Sequence, residues 1–279
     1  MSTFAITGAT GFLGRQVVAA LRARGARLRL IGRGSAPPGA DASEWRSTDD
    51  LFGASADTLR CLLDGCDTLV HLAWHVDPAD YLSSPRNLDC LRGTLDLAQA
   101  CSAASVRRFV GVGSCFEYQL DAGPADVETR LAPVTLYGAS KAAAYLSLSR
   151  YFAGSAVEFA WCRVFYLYGE GEDPRRFVPY LRAQLAAGRP AALGSGTQVR
   201  DFLDVRLAGE QIAAIAAGGV CGAVNVCSGR GTSIREMAEG IADEYGRRDL
   251  LHFGARAANT ADPATVIGVQ GNARREIPA

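Results

Sequence analysis

Two kinds of hydrophobic pattern alternate along the chain. Short apolar runs, which are typical of buried parallel strands, occur at residues 4–6, 28–31, 68–73, 108–112, 157–164 and 223–226. Amphipathic stretches that predict helices lie between them, at residues 12–24, 56–63, 87–104, 137–152 and 207–217. Parallel strands joined by helices predict an α/β fold with a doubly wound sheet, which binds its ligands at the carboxyl ends of the strands.

Charge and cysteine content narrow the class of protein. The 29 basic residues balance the 29 acidic ones, so neither nucleic acid nor a membrane surface is an expected partner. The eight cysteines are scattered without a Cys-x-x-Cys pair, which is typical of a reduced cytoplasmic protein and predicts no metal site. The first strand begins within two residues of the N-terminus, and no apolar run approaches the ~20 residues of a membrane span. We therefore expect a cytoplasmic protein without a signal peptide.

A glycine-rich segment follows the first predicted strand. Residues 7–14 read Thr-Gly-Ala-Thr-Gly-Phe-Leu-Gly and lead into the first predicted helix. Such glycines allow a tight turn and a close approach of the backbone to a pyrophosphate, while the helix N-terminus stabilises the anion. The segment therefore predicts a dinucleotide site. Its expected contacts are Gly8, Thr10, Gly11, Phe12, Leu13, Gly14 and Arg15.

The end of the second predicted strand indicates which dinucleotide binds. An NAD-selective site usually places a carboxylate there to accept a hydrogen bond from the ribose 2′-hydroxyl, whereas an arginine favours the 2′-phosphate of NADP. Here the strand ends in Gly-Arg-Gly around Arg33, and no acidic residue occurs between Arg22 and Ala40. NADP is the expected cofactor, with NAD as the alternative.

A Tyr-x-x-x-Lys pair supplies candidate chemistry. A tyrosine with an unperturbed pKa near ~10 needs help to exchange a proton at neutral pH. Lys141 lies four residues after Tyr137, on the same face of a helix, where its cation is expected to lower the phenol pKa and to contact the nicotinamide ribose.

The two motifs together resemble the extended branch of the short-chain dehydrogenase/reductase superfamily, the NAD-dependent epimerase/dehydratase family of nucleotide-sugar enzymes. This resemblance implies a third catalytic residue, Ser114, four residues before Tyr118, which would polarise the substrate carbonyl. It implies that His71 packs within a strand and that Trp74, at a position where an alanine is common, narrows the entrance. The further cofactor contacts that it implies are Asp50, Leu51, Leu72, Ala73, Trp74 and Val112, together with Tyr137 and Lys141.

The resemblance extends to the substrate side. Residues 162–169 are similar to a family signature, Arg-x-x-Asn-x-x-Gly-Pro, in which Tyr166 replaces the asparagine and Glu170 replaces the proline. Residues 194–205 match the segment in which the family's arginine grips a nucleotide diphosphate, which implies that role for Arg200; a structural pairing with Asp201 or Asp204 is the alternative. The implied substrate contacts are His75, Ser114, Cys115, Phe116, Tyr166 and Arg200.

The segment 169–200 breaks the alternation of strands and helices with a Gly-Glu-Gly-Glu-Asp-Pro turn and a helical pattern over 177–187. We expect a doubly wound parallel Rossmann sheet with a smaller C-terminal substrate-binding lobe. Residues 1–165 plus about 204–228 are assigned to the dinucleotide-binding domain, and about 166–203 plus 229–279 to the lobe. The resemblance also implies a homodimer formed through the helices that begin near Asn87 and Tyr137.

Relatives with this frame perform dehydration, epimerisation or ketone reduction. The 4,6-dehydratases carry Asp-Glu directly after the active hydroxyl, where this chain has Cys115 and Phe116. The 4-epimerases hold NAD tightly, which fits poorly with Arg33. We therefore expect an NADPH-dependent reductase of a 4-keto-6-deoxy nucleotide sugar, with Tyr137 as proton donor. The alternatives are an NAD(P)-dependent nucleotide-sugar 4-epimerase or related sugar-modifying enzyme and, from another class, a non-catalytic NADP-sensing binding protein.

Overall fold

The computed structural model describes residues 2–37, 41, 44–121, 123–257 and 263–272. The strands are β1 (Thr3–Thr7), β2 (Arg27–Gly32), β3 (Trp45–Ser47), β4 (Thr68–His71), β5 (Arg108–Ser114), β6 (Glu158–Val164), β7 (Tyr166–Tyr168), β8 (Ala191–Ala192), β9 (Val199–Asp204), β10 (Gly222–Val226), β11 (Gly231–Ser233), β12 (Leu251–His252), β13 (Thr265–Val266) and β14 (Gly271–Asn272). The helices are α1 (Phe12–Ala23), α2 (Ala56–Leu63), α3 (Arg86–Ala103), α4 (Leu136–Ala153), α5 (Phe177–Ala186), α6 (Val205–Ala217) and α7 (Ile234–Tyr245), with 3-10 turns at Cys115–Glu117 and Arg248–Leu250.

The central sheet has eight strands in the order β14-β10-β6-β5-β4-β1-β2-β3. Seven of them run parallel, and β14 is antiparallel to β10 at the edge. The predicted doubly wound α/β sheet is thereby confirmed. The run predicted as a strand over 68–73 ends at His71, because the amide of Ala73 donates to the Thr7 hydroxyl and no longer to the backbone ladder.

Helices cover both faces of this sheet because successive side chains of a strand point to opposite sides. On β1, Phe4 and Ile6 enter the apolar layer that α1 and α6 cover. Ala5, between them, enters the opposite layer with residues of α2, α3 and α4. Both faces are therefore dry, and ligands reach the sheet at its carboxyl edge.

A smaller unit lies beyond that edge. Strands β7, β9, β11 and β13 form a second sheet, and β8 pairs with β12. Helices α5 and α7 bury apolar residues against each other, including Leu181 and Ile241. The sequence predicts that residues 229–279 belong to this lobe. Strand β14 instead lies in the central sheet, where it pairs with Val224 and Asn225 of β10. Positions 258–262 and 273–279 of the predicted range lie outside the described residues.

One buried carboxylate ties the lobe to the central sheet. Asp201 on β9 is fully buried and accepts hydrogen bonds from the amide of Ser228 at 2.7 Å and from its hydroxyl at 2.6 Å. The amides of Gly229 and Gly268 donate to its other oxygen at 3.0 and 3.1 Å. Three separate chain segments thus meet at a single anion, and four charge-assisted hydrogen bonds compensate its burial.

Within the described ranges, no helix combines the length and the apolar character that crossing a bilayer requires.

Candidate active site

The glycine-rich segment forms a tight turn at the carboxyl end of β1. Gly8 has a φ of +70°, and a Cβ there would lie 2.7 Å from the amide nitrogen of Ala73. A Cβ on Gly14 would overlap the carbonyl oxygen of Gly8. Both positions therefore require glycine, and the turn brings α1 close to the end of the strand.

The N-terminus of α1 fits an anionic ligand. Gly11 at its N-cap has no side chain to accept from the first amides, and the first turn contains no acidic residue. Phe12 and Leu13 follow it half-buried, while Thr10 remains exposed. The amides of this turn and the helix dipole can therefore stabilise a pyrophosphate.

Arg15, one turn further along α1, is exposed. Its Nη2 donates to the carbonyl oxygen of Gly171 at 3.2 Å, in the loop that follows β7. This bond holds the lobe's first loop beside the glycine turn, so that both can border the same ligand. A phosphate contact from Arg15 stays a prediction.

The adenosine end of the predicted cofactor site contains a residue that the motifs did not indicate. Arg33 is exposed just beyond the end of β2. Trp45 on β3 lies over Gly32, where any Cβ would overlap the indole ring, and its Nε1 donates to the carbonyl oxygen of Gly34 at 2.8 Å. The indole therefore walls the site next to Arg33.

The Asp50 carboxylate folds back onto its own turn. Its Oδ1 accepts from the amide of Phe52 at 3.0 Å, and Leu51 beside it is half-buried. A role for these two residues at the adenine stays a prediction.

Trp74 is held in place beside the candidate catalytic lysine, and a narrowing of the entrance by its ring stays a prediction. Its Nε1 donates to Oδ1 of Asn87 at 2.8 Å, and Nδ2 of Asn87 donates in turn to the carbonyl oxygens of Tyr81 and Ser84. With the indole anchored in this way, the Lys141 ammonium lies 3.7 Å from the centre of its rings. Trp74 therefore covers the candidate catalytic lysine, a cation–π contact that favours the charged amine.

The structure brings Ser114, Tyr137 and Lys141 together. All three are buried, with 5, 8 and 3% exposure. The Ser114 hydroxyl accepts from the amide of Phe116 at 3.2 Å, which is a strand-end cap. The same side chain also interacts with the Tyr137 phenol and favours a lower phenol pKa. The Nζ of Lys141 donates to the carbonyl oxygen of Val112 at 2.5 Å, and Lys141 is the only lysine of the 279 residues.

The pKa values at this site differ from the expectation. Burial raises the pKa of Tyr137, the Tyr81 phenol adds to that rise, and the hydrogen bond with Ser114 opposes it. Burial lowers the pKa of Lys141 to about 7. The expected lowering of the phenol pKa by Lys141 is not seen, because the ammonium points at Val112 and lies 5.9 Å from the centre of the tyrosine ring.

Aromatic side chains that the motifs did not indicate surround Tyr137. The Tyr81 ring lies edge-on to it at 5.1 Å, and the Arg176 guanidinium lies 5.0 Å from the centre of Tyr81. Tyr81 belongs to a loop without periodicity, so the sequence offered no signal for it. An ion pair of 2.8 Å between Asp77 of that loop and Arg175 adds a second link to the lobe.

His71 is a packing residue, as predicted. It is 2% exposed on β4. Its Nδ1 lies 2.7 Å from the hydroxyl oxygen of Thr7, and its Nε2 lies 2.9 Å from that of Thr94. The Thr94 hydroxyl donates its own proton to the carbonyl oxygen of Cys90. Thr94 must therefore accept from Nε2 of His71, and Nδ1 accepts from the Thr7 hydroxyl. These partners imply the neutral imidazole with its proton on Nε2. Burial and the Lys141 charge lower the His71 pKa to about 3.

Three predicted substrate residues lie around the triad in different environments. His75 is half-buried, and its Nε2 lies 2.7 Å from Oδ1 of Asp80. Phe116 packs edge-on against Tyr137. Cys115 instead packs into an apolar cluster beneath them, and burial raises its pKa to about 12, which disfavours the thiol as an acid at neutral pH.

Tyr166 and Arg200 meet in the second sheet. The Arg200 guanidinium lies 5.3 Å from the centre of the Tyr166 ring, and Tyr166 packs edge-on against Phe116. Arg200 is only 2% exposed, and its Nη1 donates to the carbonyl oxygen of Val199 at 2.8 Å. It lies deeper than a surface phosphate ligand would, so its predicted contact with a diphosphate stays a prediction.

Among the residues that the structure describes, no group of three or more His, Cys, Asp or Glu side chains is arranged to hold a metal ion.

Comparison with known proteins places this geometry in context. The model of the NAD dependent epimerase/dehydratase family matches residues 4–227. The dTDP-6-deoxy-L-talose 4-dehydrogenase (NAD(+)) of Aggregatibacter actinomycetemcomitans is 25% identical over 275 residues, which cover 95% of this chain and 98% of that protein. The corresponding NAD(P)(+) enzyme of Kitasatospora kifunensis is 28% identical, over 87% of this chain and 79% of that protein.

Two solved structures are also similar to this chain. MoeE5 in complex with UDP-glucose and NAD is similar with a TM-score of 0.81 and 27% identity, over 96% of this chain and 89% of that one. UDP-N-acetylglucosamine 4-epimerase from Methanobrevibacter ruminantium has a TM-score of 0.85 at 20% identity, with the same coverage of 96% and 89%. The second likeness shows the fold.

Proposed function

Because the chain belongs to the NAD-dependent epimerase/dehydratase family, we propose that it is an oxidoreductase that reduces the ketone of a 4-keto-6-deoxy nucleotide sugar with NADPH. The observation that carries the proposal is the end-to-end match to a relative named as a 4-dehydrogenase of a dTDP-linked 6-deoxy sugar. Oxidation at C4 of such a sugar is the proposed ketone reduction in reverse, and both directions use the same residues.

The triad supplies the proton and orients the ketone. The Ser114 hydroxyl donates a hydrogen bond to the ketone oxygen, and Tyr137 transfers its phenolic proton to that oxygen. The Lys141 ammonium is proposed to bind the nicotinamide ribose when the cofactor is present. When bound, the reduced nicotinamide supplies the hydride to the carbonyl carbon.

The reductive direction is proposed because Arg33 favours NADPH, the exchangeable reductant of such a reaction. The relatives are named as dehydrogenases, and the same residues serve the reaction in both directions.

The cofactor assignment rests on the glycine turn and on Arg33. The turn at Gly8 and Gly14 and the uncapped N-terminus of α1 fit a dinucleotide pyrophosphate. Arg33 stands exposed at the end of β2, where a guanidinium favours a 2′-phosphate. One relative is named for NAD(+) and another for NAD(P)(+), so the preference for NADP is a property proposed for this chain.

The aromatic wall and the buried arginine support a nucleotide-sugar substrate. Tyr81 and Phe116 pack edge-on against the reacting phenol, and Tyr166 packs against Phe116. These aromatic rings supply apolar surface that suits the methyl group of a 6-deoxy sugar. His75 adds a polar edge, and Arg200 beneath Tyr166 is assigned to the diphosphate.

A nucleotide-sugar 4-epimerase is the second candidate, since epimerases are among the similar structures. An epimerase returns its hydride to the same sugar and needs no external reductant, whereas a reductase consumes NADPH in proportion to product. The intact and converging triad disfavours a non-catalytic NADP sensor.

We also propose a homodimer through α3 and α4. Leu88, Leu146 and Tyr151 expose apolar surface on these two helices, which a second copy would cover. The eight cysteines are free thiols, in keeping with a reducing cytoplasm.

The decisive experiment is a panel of 4-keto-6-deoxy sugars on dTDP, GDP and CDP, followed by NADPH absorbance. The proposal predicts stoichiometric oxidation of NADPH with at least one member, and slower oxidation of the matching 6-deoxy sugar by NADP at neutral pH. Interconversion of two sugars without net consumption of NADPH would identify an epimerase instead.

A further inference from the structure

A buried carboxylate that no motif predicted holds the turn after β5. Glu117 is fully buried, and its Oε1 accepts a hydrogen bond from the amide of Ser114 at 2.8 Å. The Ser114 hydroxyl in turn accepts from the amide of Phe116, so serine and glutamate form a reciprocal capping box at the N-terminal end of this turn. Glu117 therefore fixes the main chain of the residue that must face the ketone.

Two more donors converge on this carboxylate. Trp161 Nε1 lies 3.0 Å from Oε1 and 3.2 Å from Oε2, and Arg163 Nε donates to Oε2 at 2.7 Å. A Cβ at Gly113 would overlap both the carboxylate and the indole nitrogen, so the approach requires glycine there. The donors compensate the burial of the anion, and a buried anion held so closely cannot move without breaking several bonds.

Glu117 and Lys141 both lie close to the Trp161 indole. The Lys141 ammonium lies 5.9 Å from the centre of the Trp161 rings, and the Nε1 of the same indole bonds Glu117. The glutamate charge acts against the effect of burial and favours the protonated lysine. The same indole thus lies close to both a buried cation and a buried carboxylate.

Four titratable groups face Lys141: Glu117 from the turn, Cys90 from α3, His71 from β4 and Tyr137 from its own helix. Burial raises the pKa of Cys90 and that of Tyr137, and lowers the pKa of His71 to about 3. Those three groups are therefore neutral near pH 7. Within the described part of the chain, Glu117 is the anion that balances the lysine.

We propose that Glu117 is a positioning residue of this enzyme, which acts through Ser114 and Lys141 and does not touch the substrate. The inference rests on the proposed function, because Ser114 and Lys141 matter as members of the proposed catalytic triad. Glu117 lies outside the sequence motifs and supports two residues of the proposed catalytic triad. Its carboxylate fixes the serine backbone and supplies the negative charge opposite the catalytic cation.

The single lysine of the chain gives a direct readout. In protein labelled with ¹³C at lysine Cε, one NMR signal reports Lys141, and its shift against pH gives the lysine pKa without any substrate. We expect Glu117→Gln, which removes the charge and keeps an acceptor, to lower this pKa by about one unit. Entry of water into a loosened core would instead raise the pKa toward the ordinary value of lysine.

Arg163→Met is the matched control, because it breaks the same ion pair and leaves the anion in place. We expect it not to lower the Lys141 pKa, since it removes a neighbouring positive charge. Glu117→Gln leaves the Arg163 guanidinium buried without its anion, which costs stability. If that variant does not fold, the double variant E117Q/R163M is compared with R163M, where the change of Glu117 is again the only difference and the same downward shift is expected.

An unchanged or raised Lys141 pKa in the glutamine variant would overturn the charge role. An equal fall of the Lys141 pKa in Glu117→Gln and in Arg163→Met would also overturn the charge role. The cause would then be the broken ion pair and not the lost negative charge.

Glu117→Asp separates position from charge. The shorter side chain keeps the anion but draws it away from the Ser114 amide. We expect a nearly unchanged Lys141 pKa, a fall in kcat on the order of tenfold to a hundredfold, and little change in KM for NADPH. Wild-type kcat in this variant would overturn the positioning role. If the wild-type protein reduces no sugar of the panel, the proposed function fails, and the lysine titration still decides the electrostatic role of Glu117.

Discussion

Acid should weaken this fold through one buried histidine. His71 lies at the base of the cofactor site and is held neutral between Thr7 and Thr94. Its pKa falls from 6.5 to about 3 in the folded protein. At pH values between these two, the histidine is protonated in the unfolded chain and neutral in the folded chain. The stability that neutral His71 contributes is therefore complete above pH 6.5 and is lost as the pH falls towards 3.

The size of the loss follows from the shift. Each pH unit below 6.5 removes about 1.4 kcal/mol of unfolding free energy, so moving from about pH 7.5 to about pH 5 should remove about 2 kcal/mol through His71 alone. Urea unfolding followed by tryptophan fluorescence at both pH values measures this quantity. His71→Gln, which does not titrate, should be less stable at neutral pH but should lose about 2 kcal/mol less on acidification.

The matched control is His252→Gln, which removes an exposed histidine and should retain the wild-type loss because His71 is still present. If His71→Gln loses as much stability as the wild-type protein between the two pH values, then His71 does not titrate as its neutral hydrogen-bond partners require, and the reasoning fails.

Three further substitutions test the site. Arg33→Asp should shift the ratio of cofactor dissociation constants toward NAD, since a carboxylate repels a 2′-phosphate and accepts from a 2′-hydroxyl; an unchanged ratio would mean that Arg33 stays in solvent. Tyr137→Phe should lower turnover by about a hundredfold to ten-thousandfold and leave NADP affinity nearly intact. If the phenylalanine variant retains wild-type turnover under conditions in which hydride transfer limits the rate, that role is refuted. Arg200→Ala should raise the dissociation constant of the nucleotide sugar at least about tenfold and that of NADP much less, by calorimetric titration; equal weakening of both ligands, or loss of melting temperature alone, would assign Arg200 to the lobe's framework.

The fold was predictable where local pattern and tertiary structure agree. The apolar run 108–112 predicts a buried parallel strand, and the strand forms there because helices cover both faces of the sheet. The glycine turn is predictable because a side chain at Gly8 would clash with the backbone, so the spacing of the glycines in the sequence reveals the turn. The two-residue strand β14 was not predictable, because its pairing with β10 depends on a distant segment and not on its own residues.

The site was predictable only in its motif residues. Tyr137 and Lys141 share a helix face by spacing alone, but the direction of the lysine ammonium depends on the carbonyl of Val112 and on the Trp74 indole, which reach it from other elements. The predicted fall of the phenol pKa is wrong for that reason. Glu117 gives no sequence signal, because a glutamate in a turn is usually solvated and only the packing of β6 buries this one.

The threading of the lobe constrains how new specificities can be engineered. The chain leaves the central sheet after β6, returns with α6, leaves again after β10 and returns at β14, so a chimaera that exchanges the lobe needs four junctions instead of one. Asp201 binds donors contributed near the third and fourth of these junctions. Recombination libraries should therefore inherit Asp201 together with residues 228, 229 and 268 from the same parent. This keeps the Ser228 hydroxyl, and the loop conformations that direct the three main-chain amides, with the buried carboxylate that needs them.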